Sequence, residues 1–126
     1  MLEWWERPYQ DHGRGPAMFD CWGLYREAFW RDFGILLPDY GDCYHTADDR
    51  ASVGEVLLRE LAHWTPLESP QKGALIVLNV ARRPFHCAYA LDAHQMLHTL
   101  PGSGSVIEPI CSPRWARRIE GIYLWQ

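Results

Sequence analysis

Three residues carry the chemistry that this sequence can be read for: Cys21, His86 and His98. Cys21 directly follows Asp20, which stands where a helix would begin. Trp22, Tyr25, Ala28 and Phe29 then recur at helical spacing, with Phe33 one turn further. Asp20 reads as the N-cap rather than as a catalytic acid, and Gly34 as the C-terminal stop. A thiol in the first turn of a helix lies among backbone N–H groups that lack an intrahelical acceptor, at the positive end of the helix dipole. Both effects favour thiolate over thiol. The same N–H groups can bind an oxyanion formed beside the sulfur. The competing reading of Cys21 is a small buried residue tucked under a helix start.

The two histidines belong to a hairpin. Phe85 to Leu91 alternates as one strand, Gln95 to Thr99 as the next, and Asp92-Ala93 supplies the turn. In a hairpin centred on Asp92, His86 and His98 lie opposite each other with their side chains on one face, about 5 Å apart at Cβ. One imidazole can then hold the other, which is the logic of a Cys–His pair oriented by a third polar group. Cys87, next to His86, should point to the opposite face and into the core. Cys111 lies in a late loop. Of the other histidines, His12 and His45 fall in loops, His63 in a second helix and His94 beside the hairpin turn. Cys43 and His45 match no common ligand spacing, so neither a metal site nor a cofactor is expected.

The elements that must position these groups come in a clear order. Residues 1–19 are rich in Gly, Pro and charge and read as an irregular lead-in. After the first helix, Leu36 to Thr46 reads as a loop. Ser52-Val53-Gly54-Glu55 is a capping-box pattern opening a second helix through Val56, Leu57, Leu61 and Trp64, ended by Pro66 and Pro70. Then the pattern changes. Ala74 to Leu78 is a buried strand, followed by the hairpin, a turn at Gly102 and Gly104, and a strand at Val106-Ile107. Ser112-Pro113 can open one helical turn, and Gly121 to Trp125 is a last strand. Helices first and short-linked strands afterwards make an α+β fold, with N-terminal helices on a mainly antiparallel sheet of about five strands.

Composition narrows the function classes. The chain of 126 residues is the length of one domain, taken as residues 1–126. Seven Trp, six Tyr and four Phe are too much apolar surface to leave in water, so disorder is excluded. Twelve basic against sixteen acidic residues give a net charge of −4, which argues against nucleic acid as a partner. No apolar run approaches the roughly 20 residues that span a bilayer, so membrane insertion is not expected. The first nine residues carry charge and no apolar stretch, so no secretory leader is expected. Four cysteines without a Cys-x-x-Cys pair read as reduced thiols.

Several segments together resemble one family. Phe19-Asp20-Cys21-Trp22-Gly23-Leu24, His86-Cys87-Ala88-Tyr89-Ala90-Leu91 and Met96-Leu97-His98 look like the NlpC/P60 cysteine peptidases. The branch they are most similar to is that of tailed phages, the phage cell-wall peptidase or tail assembly type. Phe33-Gly34-Ile35, Pro38-Asp39-Tyr40, Ser105-Val106-Ile107-Glu108 and Gly121-Ile122-Tyr123 also resemble that branch. The resemblance runs from about Pro8 to the C-terminus.

It implies a papain-like α+β fold and a Cys–His–His triad, with Cys21 as nucleophile, His86 as general base and His98 orienting it. Pro8-Tyr9 is similar to the family's upstream Pro-Tyr segment, whose hydroxyl lies near the oxyanion, and that role passes to Tyr9. Trp22 either walls the cleft or simply packs. The implied substrate is a peptidoglycan stem peptide, cut between D-γ-glutamyl and the diamino acid. The implied partners are phage tail-tip proteins, and the implied place is the virion tail tip, or the host cytoplasm during assembly, with action on the bacterial wall. One alternative is a structural tail-tip or tail-assembly component whose site is weak or unused. Another is a thiol amidase or acyltransferase of the same superfamily. The sequence departs from the family pattern at Ala74, where Asp is usual after Gly, and at Cys87 and Ala88, where Val and Gly are usual. Arg82 and Arg83 could meet stem-peptide carboxylates or form a solvated loop pair. Arg114, Arg117 and Arg118 form either a docking face or a solvated turn.

Overall fold

Trp22, Tyr25, Ala28 and Phe29 are buried along one face of α1 (Cys21–Phe33), as their spacing requires. The computed structural model describes residues 3–39, 63–80 and 83–125. Asp20 caps α1 through Oδ1, which accepts from the Gly23 amide at 2.7 Å. Gly34 ends it in the left-handed region at φ 70°, where a side chain would be strained, and its N–H donates to Trp30 O at 2.7 Å.

The strands are β1 (Trp64–Pro66), β2 (Leu75–Val80), β3 (Arg83–Ala90), β4 (Gln95–Leu100), β5 (Gly104–Pro109) and β6 (Ile119–Trp125). They form one sheet in the order β1-β6-β2-β3-β4-β5, and every pairing is antiparallel. The apolar run at β2 is buried on both sides because the strand is central. Leu75 and Val77 join the cluster under α1, and Ala74, Ile76 and Leu78 join a second cluster on the other face around Trp115. β3 alternates in the same way: Cys87 and Tyr89 face the α1 cluster, Ala88 and Ala90 the second. Each large side chain removed from water in this way contributes roughly 1.5–3 kcal/mol before entropy is counted.

Tyr25 ties helix to sheet. Its ring lies 5.4 Å from those of Trp22 and Tyr89, and its hydroxyl donates to Gly73 O at 2.6 Å. Tyr89 in turn donates to Asp32 Oδ2 at 2.5 Å. Among the described residues, no helix is long and apolar enough to cross a membrane.

Two expectations are corrected. The sheet has six strands rather than about five, and the extra one is β1. The sequence pattern places Trp64 at the end of a second helix. It lies instead in a three-residue strand, paired with Trp125 of β6 and packed edge-on against that ring at 5.2 Å. Three residues are too few to show a period of two, and the partner is at the far end of the chain. The expected helix before His63 lies outside the described residues, as do Arg82 and residues 40–62, Cys43 and His45 among them. The turn at Ser112-Pro113 is present as Ser112 O accepting from Trp115 N and Ala116 N at 3.0 and 2.9 Å. It leads into a 3-10 turn over Ala116–Arg118.

Candidate active site

The thiol end of the site is built locally. Residues 8 to 19 fold back so that Phe19 bridges both Tyr9 and Arg14. Phe19 N donates to Pro8 O at 3.2 Å, and Gln10 N to Phe19 O at 3.1 Å. This delivers Asp20, 1% exposed, into a nest of donors. Besides Gly23 N, Arg14 Nη1 donates to Oδ1 at 2.8 Å and His12 N to Oδ2 at 3.1 Å. Cys21 therefore opens a helix whose start is rigid, where the first amides have no intrahelical acceptor. Gly23 is required by the same closeness, since a Cβ there would stand 1.9 Å from Gly13 O.

Cys21 is 5% exposed. Its thiol shares a hydrogen bond with that of Cys87, which is fully buried, and burial first and this contact second push the Cys87 thiol well above the usual range. Cys87 thus enters the core as expected, but the core it enters is the one that holds Cys21. His86 precedes it on β3, and by alternation the His86 side chain leaves the other face of the strand, toward Trp115. Tyr9 is half-buried and its hydroxyl donates to Asp11 Oδ1 at 2.8 Å. Burial and the Asp11 contact raise its pKa, with the nearby Cys21 charge adding to the effect, so Tyr9 remains a protonated donor. It also lines a cleft of about 510 Å³ with Arg7, Pro8 and the turn at Gly102–Ser105.

The imidazole end is built from distant segments. Tyr89 pairs with Leu97 and Ala90 with Met96, so the hairpin is centred on Ala93 and not on Asp92. Asp92 caps the turn instead, its Oδ1 accepting from the amides of His94 and Gln95. The register therefore differs by two residues from the expected one, and His86 lies diagonal to His98 rather than directly opposite. A shift of two preserves the face. The pair survives: His86 Nε2 and His98 Nδ1 are 2.8 Å apart, and both residues are buried.

Behind His98 stands Glu108 on β5, its Oε2 2.5 Å from His98 Nε2. Trp115 Nε1 donates to the same oxygen at 2.9 Å, and Arg114 Nη1 lies 3.5 Å from Oε1. Burial opposes ionisation of Glu108, but the hydrogen bonds from Trp115 and His98 and the Arg114 charge outweigh it, so its pKa is held below the usual range. Burial pulls the His98 pKa down, with Glu108 opposing. The Trp115 ring floors both imidazoles, 5.7 Å from His86 and 5.1 Å from His98.

A model of the family NlpC/P60 matches residues 6–123. The chain belongs to the NlpC/P60 family. Solved structures agree on the fold. One is a protein similar to a lipoprotein, NLP/P60 family, from Staphylococcus aureus subsp. aureus Mu50. It aligns at a TM-score of 0.64 and 22% identity over 97% of this chain, and this chain spans only 37% of that one. Another is the NlpC/p60 domain of the peptidoglycan hydrolase SagA, at a TM-score of 0.61 and 16% identity, with 98% of this chain and 90% of that chain covered. No curated protein matched.

Within this NlpC/P60 domain the structure brings His86 and His98 into direct contact and seats Cys21 beside Cys87, the neighbour of His86. Tyr9 is held alongside Phe19, two residues from the thiol. Trp22 is 2% exposed, stacks on Tyr25 and donates from Nε1 to Pro38 O at 3.0 Å. What it does here is pack. Arg114 and Arg118 lie over Trp115 at 4.8 and 5.8 Å, so two of the three basic residues of the late turn lean on the floor of the imidazoles. Reading the sequence for chemistry missed Glu108 and Trp115. A signal for Glu108 existed. A second hairpin turning at Gly102 pairs His98 with Val106 and Met96 with Glu108. By alternation, that puts Glu108 on the His98 face. Nothing in the sequence marks Trp115.

Proposed function

We propose that the protein is a thiol peptidase in which Cys21 is the nucleophile, His86 the general base and His98 the residue that orients it. The observation that carries the reading is the His86–His98 contact at 2.8 Å in a member of this family, with Cys21 in the first turn of α1. In the first half-reaction the Cys21 sulfur, its proton passed to His86, adds to a peptide carbonyl. The oxyanion is held by the amides at the start of α1, with the Tyr9 hydroxyl at hand. Collapse breaks the C–N bond, and His86 returns its proton to the leaving amine. Water then attacks the thioester with His86 again as base, releasing the carboxylate product and the thiol.

The substrate class is a peptidoglycan stem peptide. Support comes from family membership and from the likeness of fold to a domain of a peptidoglycan hydrolase. The D-γ-glutamyl–diamino acid bond rests on the resemblance to the family, and service at a phage tail tip on the resemblance of the segments around Phe33, Pro38, Glu108 and Ile122 to the phage branch. The test is incubation of the protein and of Cys21→Ala with purified peptidoglycan, with released fragments identified by mass spectrometry. Stem-peptide fragments from the wild type alone are expected, and their masses name the bond. Equal release by Cys21→Ala would overturn the reading. No release by either, with tight binding to a tail protein, would favour a structural part in the tail.

A further inference from the structure

The geometry points to Glu108 as a positioning residue that sets the tautomers of both histidines from outside the Cys–His–His set; the inference rests on the reading of His86 as the base. An ionised carboxylate only accepts hydrogen bonds. Glu108 is held in that form by Trp115 Nε1, His98 Nε2 and the charge of Arg114. The shared proton of the 2.5 Å contact therefore sits on His98 Nε2. A neutral imidazole protonated at Nε2 has its lone pair on Nδ1, so His98 Nδ1 accepts and His86 Nε2 donates across their 2.8 Å contact. His86 is then left with Nδ1 as its basic nitrogen. The direction of the whole chain, from carboxylate to base, is decided at Glu108. Reverse it, and His98 would donate from Nδ1 and His86 would have to accept on Nε2. The proton would then sit on His86 Nδ1, the atom that must take it from the thiol.

The groups facing this chain come from each element around it: His86 on β3, His98 on β4, Glu108 on β5, and Arg114 with the Trp115 indole on the turn before β6. Trp115 is 1% exposed and shares its rings with both imidazoles, which seals the Nε2–carboxylate contact on that side. The carboxylate is thus built in, held besides His98 by one donor, Trp115 Nε1, and by the charge of Arg114.

The test reads tautomers directly. Nitrogen-15 NMR of histidine-labelled protein, without substrate, should show His86 and His98 both protonated at Nε2 and unprotonated at Nδ1 near neutral pH. His98 protonated at Nδ1 in the wild type would overturn the inference with no variant needed. Glu108→Ala should convert His98 at least partly to the Nδ1–H form. Glu108→Gln keeps an acceptor oxygen and should hold the Nε2–H form of His98 better than Ala does. On peptidoglycan, Glu108→Ala should lower kcat on the order of tenfold or more with KM little changed. It should also move the acid limb of the pH profile to lower pH, because without the carboxylate the imidazolium of the base is less stabilised and its pKa falls. A merely structural Glu108 would change the melting temperature and leave tautomers and pH limbs as they are, and that result would also overturn it. Since tautomers are read in the resting protein, this outcome is separate from whether Cys21→Ala retains lysis.

Discussion

The two ends of the site are assembled over very different distances along the chain. The thiol end is made by residues 8 to 23: a folded-back lead-in, the buried Asp20 cap, and a helix start that leaves no room at Gly23. The imidazole end needs His86, His98, Glu108 and Trp115, from three strands and a turn. The local end is a device for holding backbone, and its contacts are short-range hydrogen bonds and one ion pair. The distant end, in the function proposed, is a device for placing protons. Damage to the backbone supports of the first, Cys21 itself apart, should be read in stability, and damage to the second in activity.

The largest separation is expected from His86→Gln. Loss of the base should lower kcat/KM by about 100-fold or more, measured on a defined stem peptide, with the thermal melt nearly unchanged. A collapse in stability with residual activity in proportion to folded protein would erase the distinction between the two ends.

Asp20→Ala should do the reverse. It removes the cap, which contributes about 1 kcal/mol, and one carboxylate partner of Arg14, whose side chain is 18% exposed and still pairs with Asp39 at 3.1 Å. Because Arg14 keeps some solvent, its penalty falls short of the 3–5 kcal/mol of a fully buried broken pair. The sum is about 2–3 kcal/mol, read by urea denaturation. Gly23→Ala should cost somewhat less, about 1–3 kcal/mol, as the Gly13 carbonyl is forced away. Neither variant should alter the histidine tautomers. A changed nitrogen-15 spectrum in either would show that the ends are coupled more tightly than their contacts suggest.

The same contrast explains how much could be read from sequence. α1 was legible to the residue, because Asp20, the spacing of Trp22, Tyr25 and Phe29, and Gly34 each act locally. The β2 core and the β3–β4 hairpin were legible because period and turn residues agree. The shared face of His86 and His98 came out correctly even though the turn centre was one residue off, since faces repeat every two residues. β1 was not legible, because its three residues are defined by pairing with β6 and not by any pattern of their own. Trp115 was invisible for the same reason, lying in a turn whose only marker is Pro113. Glu108 sat between these cases, within reach of the alternation argument but one hairpin further on.

The smallest effect, and the finest test of the comparison, is the pH dependence of stability. Burial holds the His98 pKa below its ordinary value, so the unfolded chain takes up a proton near pH 6.5 while the folded one resists. The unfolded state then binds more protons, and stability falls as the pH drops below about 6.5. Glu108 is depressed in the fold, so its contribution is full above about pH 4.3 and is lost as the pH falls further. Asp92, held down by the His94 and Gln95 amides, adds to that lower step. Glu108→Gln should therefore shrink the lower step without abolishing it. The upper step belongs to His98 of the imidazole end, so urea midpoints for Gly23→Ala should be displaced downward at every pH while keeping the wild-type slope between pH 7 and 5. A wild type that gains stability on acidification through that range would show that His98 is not kept neutral by its surroundings. The proton order from Glu108 to His86 would then have to be redrawn.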